Sequence, residues 1–174
     1  YQSSEIENKV RIEETVRIQN WKINYGIGIE DANYTNSTFN KLPNNITIDF
    51  NSAINFQKYS GFGQISKTFA KANTTVSFGT RIDGNNYGSK MKNPLDQFSP
   101  RISLTTKIYK SFNFNASSGI YYQLPAYTIL GFKNNVGAFT NKNIPYIRNK
   151  QVVAGLEYLS NKNIRITVEG YYKL

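Results

Sequence analysis

Neither cysteine nor histidine occurs in the chain. Their absence removes disulfides, thiolate and imidazole zinc sites, cysteine nucleophiles and every Ser-His or Cys-His catalytic arrangement. It does not fix the redox compartment, because reducing cytosol and many bacterial envelope proteins both tolerate a cysteine-free chain. Long apolar runs are missing too: no stretch approaches the roughly 18 consecutive apolar residues of a membrane-spanning helix. The opening residues, YQSSEIENKV, lack the charged-then-apolar pattern of a signal peptide. A membrane β-barrel passes this test, since only alternate strand residues meet lipid and mean hydropathy stays low, as it does here at -0.50. Acidic residues are few, 11 Asp and Glu against 21 Lys and Arg, for a formal charge of +10. That excess favours an anionic partner: nucleic acid, lipopolysaccharide or phospholipid headgroups, or an anionic ligand.

What is present is period-2 alternation rich in Ile, Val, Thr, Tyr and Phe, from end to end of the 174 residues. The clearest strand sets Trp21, Ile23, Tyr25, Ile27 and Ile29 against Lys22, Asn24, Gly26, Gly28 and Glu30. Before it, Val10, Ile12, Val16 and Ile18 share a face interrupted only by Glu14. Later strands carry Val76, Phe78 and Ile82; Ile102, Leu104 and Ile108; Phe112, Phe114, Ala116, Ile120 and Tyr122; Val152, Ala154, Leu156 and Tyr158; and Ile164, Ile166, Val168 and Tyr172. A third strand within residues 50–69 changes phase between Phe56 and Ile65, which predicts a bulge near Gly61.

The connections alternate. Short ones are expected around Gln19-Asn20, at 70–73, 109–111 and 160–163, and long ones at about 31–46, 84–98 and 123–148. A meander of this kind gathers its long loops at one end, as outer-membrane barrels do with short periplasmic turns and long extracellular loops. Strands of roughly 10 residues suit a tilted crossing of the hydrocarbon layer. Trp21, Phe69, Tyr109, Phe112 and Tyr158 are placed at the short-turn rim, and Phe98, Tyr122 and Tyr172 at the other, as two aromatic girdles. A soluble β-sandwich with an inward apolar face is the alternative, because alternation alone does not say which side is wet. The Gly, Ser, Asn and Thr on the opposite face, and the regular loop alternation, favour the barrel.

Five segments together, TVSFGTRIDGNNY (75–87), FSPRISLTTKI (98–108), NFNASSGIYYQLPAYTILGF (113–132), QVVAGLEY (151–158) and RITVEGYYKL (165–174), resemble successive strands of TonB-dependent outer-membrane receptors, particularly those of Bacteroidetes-type bacteria. The likeness is good over residues 55–174 and weak over the first fifty. It implies an all-β, antiparallel up-and-down transmembrane barrel, of which residues 1–174 form a single segment of about eight strands out of 22. It also implies a plug domain and a TonB-binding segment, neither recognisable here. The expected function is active import of a small ligand, such as a siderophore or oligosaccharide, across the cell outer membrane with TonB-derived energy and no chemistry of its own. A passive porin-like barrel and a soluble carbohydrate-binding sandwich stand as alternatives.

Under this reading Arg81, Arg101, Lys107 and Arg165 project from the polar faces of their strands into the lumen, where they contact the plug, an anionic ligand or water. Tyr121, Gln123 and Tyr127 sit where a strand becomes a long loop, the height at which such receptors bind ligand by stacking and hydrogen bonding; a rim or loop-packing role is equally open. Pro125 marks the strand's end. Lys90, Lys92, Lys133, Lys142, Arg148 and Lys150 lie in or beside the long loops, as a solvated surface or one that attracts lipopolysaccharide. Nucleic acid is not expected, since the basic residues spread over every element. No cofactor or metal is expected, and Glu13, Glu14, Asp31 and Asp83 show no acid-base pairing.

Overall fold

The computed structural model describes residues 2–41, 43, 47–134, 136–160 and 164–174. Eight strands, β1 (Gln2–Ile18), β2 (Trp21–Lys41), β3 (Thr47–Phe69), β4 (Thr74–Asn85), β5 (Ser99–Tyr109), β6 (Phe112–Gln123), β7 (Ile147–Leu159) and β8 (Arg165–Lys173), form one sheet in sequence order. Every neighbour is antiparallel. A sandwich needs two sheets packed face to face; a single meander with edges at β1 and β8 does not supply them. No helix among the described residues is long and apolar enough to cross a membrane, and the one α-helix, α1 (Tyr127–Leu130), is a single turn.

The tight turns follow from local chemistry. Gln19 closes the β1–β2 hairpin at φ 52, and Asn73 closes β3–β4 at φ 46, its backbone N–H donating to Ala70 O at 3.2 Å. Asparagine tolerates this left-handed conformation better than most residues. The turn expected at 160–163 falls largely on residues 161–163, outside the described residues.

Three expectations differ from the structure. The long loop at 31–46 is instead mostly strand: β2 runs to Lys41 and β3 begins at Thr47, so a strand-paired hairpin replaces it. The strands are also longer than the expected ten residues at this end of the sheet, with 17, 21 and 23 residues in β1, β2 and β3.

The bulge expected near Gly61 is absent. β2 and β3 keep one register from Trp21↔Lys67 to Lys41↔Thr47, and β3 and β4 keep one from Lys58↔Asn85 to Phe69↔Thr74. The register shift among the described residues lies between Lys107 and Tyr109 of β5. The phase change in β3 has a different cause, which β2 shares. Trp21 to Ile29 place their apolar side chains on one face, and the next residues there are Asp31, Asn33, Thr35 and Ser37. The opposite face is polar from Lys22 to Glu30, then carries Ala32 and Tyr34, both buried. On β3 the partners of Ala32 and Tyr34 are Phe56 and Ile54, also buried. Above Glu30 and Lys58 the strand continues straight, but its dry face changes sides.

What dries the upper face is a cover of loop. Tyr127 and Leu130 of α1, Tyr146, and Tyr87 and Met91 from the β4–β5 connection pack on Ala32, Tyr34, Ile54 and Phe56 as one core cluster. The Tyr127 ring meets Phe56 edge-on at 5.5 Å and Tyr34 at 5.9 Å. Asn85, fully buried, ties the two loops together: its amide donates to Tyr146 Oη at 2.9 Å, and its carbonyl oxygen accepts from the Tyr87 backbone N–H at 3.0 Å. The Tyr87 hydroxyl donates to Leu130 O at 2.6 Å.

Candidate functional site: the polar face beneath the loops

Register places a row of polar residues on the face the loops cover. Below the core cluster, Lys58 of β3 lies beside Glu30 of β2, and Glu7 of β1 reaches the same point across β2. Lys58 Nζ is 2.6 Å from a carboxylate oxygen of each, and Lys9 Nζ sits 2.5 Å from the other Glu7 oxygen. The Tyr127 hydroxyl donates to Glu7 and accepts from Lys58 Nζ at 2.9 Å. Two lysines and two glutamates cancel in charge.

Asp31, Asn33 and Gln57 occupy the other face at this height, so the cluster stands above the apolar belt. Its hydrogen bonds from Lys58, then Lys9 and Tyr127, hold the Glu7 carboxyl down at about 2 against an ordinary 4.5. Burial, then the bond to Glu7, pushes the Tyr127 phenol up to about 12. Burial works against the charge on Lys58, but Glu30 and Glu7 outweigh it and its pKa is raised.

Next along the face, Arg81 and Asp83 of β4 form a two-pronged ion pair, Nε to Oδ2 and Nη2 to Oδ1 both at 2.7 Å. Glu30, Lys58, Arg81, Asp83, Gln123 and Tyr146 line a cavity of about 350 Å³ that opens on this face. With its ion pairs internally balanced, it offers amide, hydroxyl and aromatic surface more than net charge.

The residues singled out from the sequence separate. Gln123 lines this cavity. Tyr127 stands at its back, buried, its hydroxyl held by Glu7 and Lys58. Tyr121 lies on the same face but stacks under Arg101, whose guanidinium carbon is 4.6 Å from the ring centroid. Gly119 makes room for that stack: a Cβ there would lie 3.0 Å from Arg101 Cγ and 3.2 Å from Tyr121 Cε2. Arg81 is neutralised by Asp83, and Arg165 pairs with Glu157 near the β7–β8 turn. Neither Arg101 nor Lys107 joins an ion pair among the described residues. The four basic residues share one face by register without converging. Sequence reasoning missed Glu7, Glu30 and Lys58; the signal that could have found them is a charge at the point in β2 and β3 where the apolar phase reverses.

An antiparallel meander with an apolar belt on one face, a polar face partly roofed by loops from one end, and open edges at both sides is the wall of an outer-membrane β-barrel. Residues 5–174 match the family model of the TonB dependent receptor-like β-barrel, and the chain belongs to that family. It is a family of receptors and transporters. Among solved structures the chain is similar to the copper transporter OprC, at 19% sequence identity and a TM-score of 0.68, over 97% of this chain and 29% of that one. The segment therefore spans under a third of that protein's length. No curated protein sequence matches the chain. In such barrels the tight turns face the periplasm, the long loops face the cell exterior, and strands alternate apolar outward with polar inward; the polar face is therefore the lumen side and the apolar Trp21–Ile29 face the lipid side.

Proposed function

We propose that the chain is part of the wall of a ligand-gated importer driven by TonB-derived energy through a plug domain carried elsewhere in the receptor, and that its lumen face contributes to ligand capture. The observation that carries this reading is the roofed cavity at the extracellular end of the lumen, with Gln123 and Tyr146 presented beside balanced ion pairs. A charge-balanced, hydrogen-bonding lining suits a neutral, polar ligand such as an oligosaccharide more than a strongly anionic one. Tyr121, stacked under Arg101, supplies an aromatic face lower on the same wall, and the charges of Lys107 and Arg101, which no carboxylate pairs among the described residues, suit an acidic surface of the plug. Copper, the cargo named for the similar structure, fits this segment poorly: it has no His or Cys, its one Met is buried, and no cluster of three or more His, Cys, Asp or Glu occurs among the described residues.

The test uses a strain deleted for the full-length receptor and complemented with the wild type, Gln123→Ala or Tyr121→Ala, grown on a panel of oligosaccharides and ferric siderophores as sole carbon or iron source. The reading expects one compound whose uptake needs the receptor, is abolished by the protonophore CCCP and falls in both variants. Uptake that persists with CCCP points to the passive porin-like alternative. Uptake indifferent to both substitutions removes this wall from the binding site.

A further inference from the structure

The lipid-facing side of β5–β8 carries a feature that import through the lumen does not use. On this side the register sets Ile102, Ser118, Val152 and Tyr172 in one row, with Pro100, Ile120, Lys150 and Leu174 in the row above. Arg148 stands above Lys150 beside Tyr122. Between the rows runs an apolar groove of about 490 Å³ walled by Phe78, Ile102, Ile120, Val152 and Tyr172, with Lys150 at its edge. It shares Ile102, Ser118 and Val152 with a second groove of about 400 Å³ that continues toward the membrane interior past Leu104, Ala116 and Ala154. The upper end lies at the extracellular rim, where the aromatic residues Tyr122 and Tyr172 mark the interface.

Two cations head an apolar trough. Arg148 and Lys150 are exposed, alternate along β7 and so stand about 7 Å apart on one face. Neither pairs with a carboxylate among the described residues, and no Asp or Glu faces lipid on β5–β8. A sugar-phosphate headgroup with several acyl chains complements both parts at once: phosphate on the guanidinium and ammonium, chains in the groove.

We propose that this face is a binding site for a phosphorylated, multiply acylated glycolipid of the outer leaflet, lipid A in chemistry. Arg148 and Lys150 hold its phosphate, and the groove past Ser118 seats an acyl chain. The site anchors the extracellular rim of the wall in its own leaflet.

The test takes the full-length receptor, delipidated in detergent, and titrates it with hexa-acylated lipid A or with phosphatidylglycerol, counting bound lipid by native mass spectrometry. Heat-modifiable migration on SDS gels selects folded variants. The double variant Arg148→Gln/Lys150→Gln is expected to bind lipid A about tenfold more weakly or worse, Ser118→Trp to weaken it by filling the groove, and Lys90→Gln/Lys92→Gln to change nothing. Wild-type preference for lipid A over phosphatidylglycerol completes the expected result. Equal lipid A affinity in the double variant and in Ser118→Trp overturns the site, and equal affinity for the two lipids overturns the glycolipid assignment.

Discussion

Lys58 and Glu7 are 51 residues apart in sequence and lie on strands that are not neighbours, yet Nζ and Oε1 meet at 2.6 Å across β2. The contact sits at the level where the wall leaves the membrane, and Tyr127 docks on it from the longest loop. One ion cluster thus joins three strands to the roof over the lumen.

Replacing Lys58 by Met leaves Glu7 and Glu30 with Lys9 as the remaining cation of the cluster, 2.5 Å from Glu7 and 3.5 Å from Glu30. Both glutamates keep some solvent contact, with side-chain exposures of 19% and 29%, and Lys9 still pairs with them, so the loss falls below the full cost of breaking a buried pair, at about 2 kcal/mol. The expected readout in the full-length receptor is faster chymotrypsin cleavage around Tyr127 with an unchanged membrane-embedded core. Unchanged cleavage contradicts the role given to the cluster.

Acid and base act on the cluster from opposite sides. The Glu7 carboxyl is depressed to about 2 from 4.5, so its stabilisation is complete above pH 4.5 and fades as pH falls toward 2. The Tyr127 phenol is raised to about 12 from 10.0, so its contribution is complete below pH 10 and fades as pH rises toward 12. Hydrogen exchange of the Tyr127–Leu130 amides should be level between pH 5 and 9 once corrected for intrinsic rate, with an acid limb that Glu7→Gln removes.

Gly88 lies between the two roofing loops with an extended backbone, φ -133, that any residue can adopt. A Cβ there would stand 2.0 Å from Lys142 O, a backbone atom that cannot swing away. Gly88→Ala should therefore push the β4–β5 and β6–β7 loops apart at a cost of about 1–3 kcal/mol. Increased exchange at Tyr87 and Asn143, with the strands unaffected, is the expected signature.

The two faces of one strand should respond differently to charge. Leu104→Arg projects into hydrocarbon and is expected to cost about 2–4 kcal/mol near the midplane, while Ser103→Arg, on the lumen side, should be nearly neutral. Urea unfolding of the receptor in lipid vesicles measures both.

The strands were legible in the sequence because lipid on one side and a wet lumen on the other impose a period of two, and the segments from Val76 to Tyr172 follow it closely. Legibility failed where the surroundings change along an unbroken strand. Residues 31–41 lose the outward apolar signal because water replaces lipid there, and so resemble a loop; Ile54 and Phe56 gain an inward apolar signal because the roof covers them, and so mimic a bulge. The site was less legible still. Gln123 could be placed by its position at a strand end, but the meeting of Glu7, Glu30 and Lys58 depends on a register that no local pattern encodes, and Tyr127 is drawn into that cluster by a loop that crosses the sheet.

The switch of the dry face between Ile29 and Asp31 is the centre of this account, and because the segment has no native cysteine, single cysteines along β2 can test it directly. In intact cells expressing the receptor, a membrane-impermeant maleimide applied from outside should label Asn33→Cys, Thr35→Cys and Ser37→Cys. It should leave Ile23→Cys, Ile27→Cys and the roofed Ala32→Cys and Tyr34→Cys unlabelled. Labelling that continues the same alternation through residue 31, with Ala32 and Tyr34 reactive and Asn33 and Thr35 protected, would contradict it.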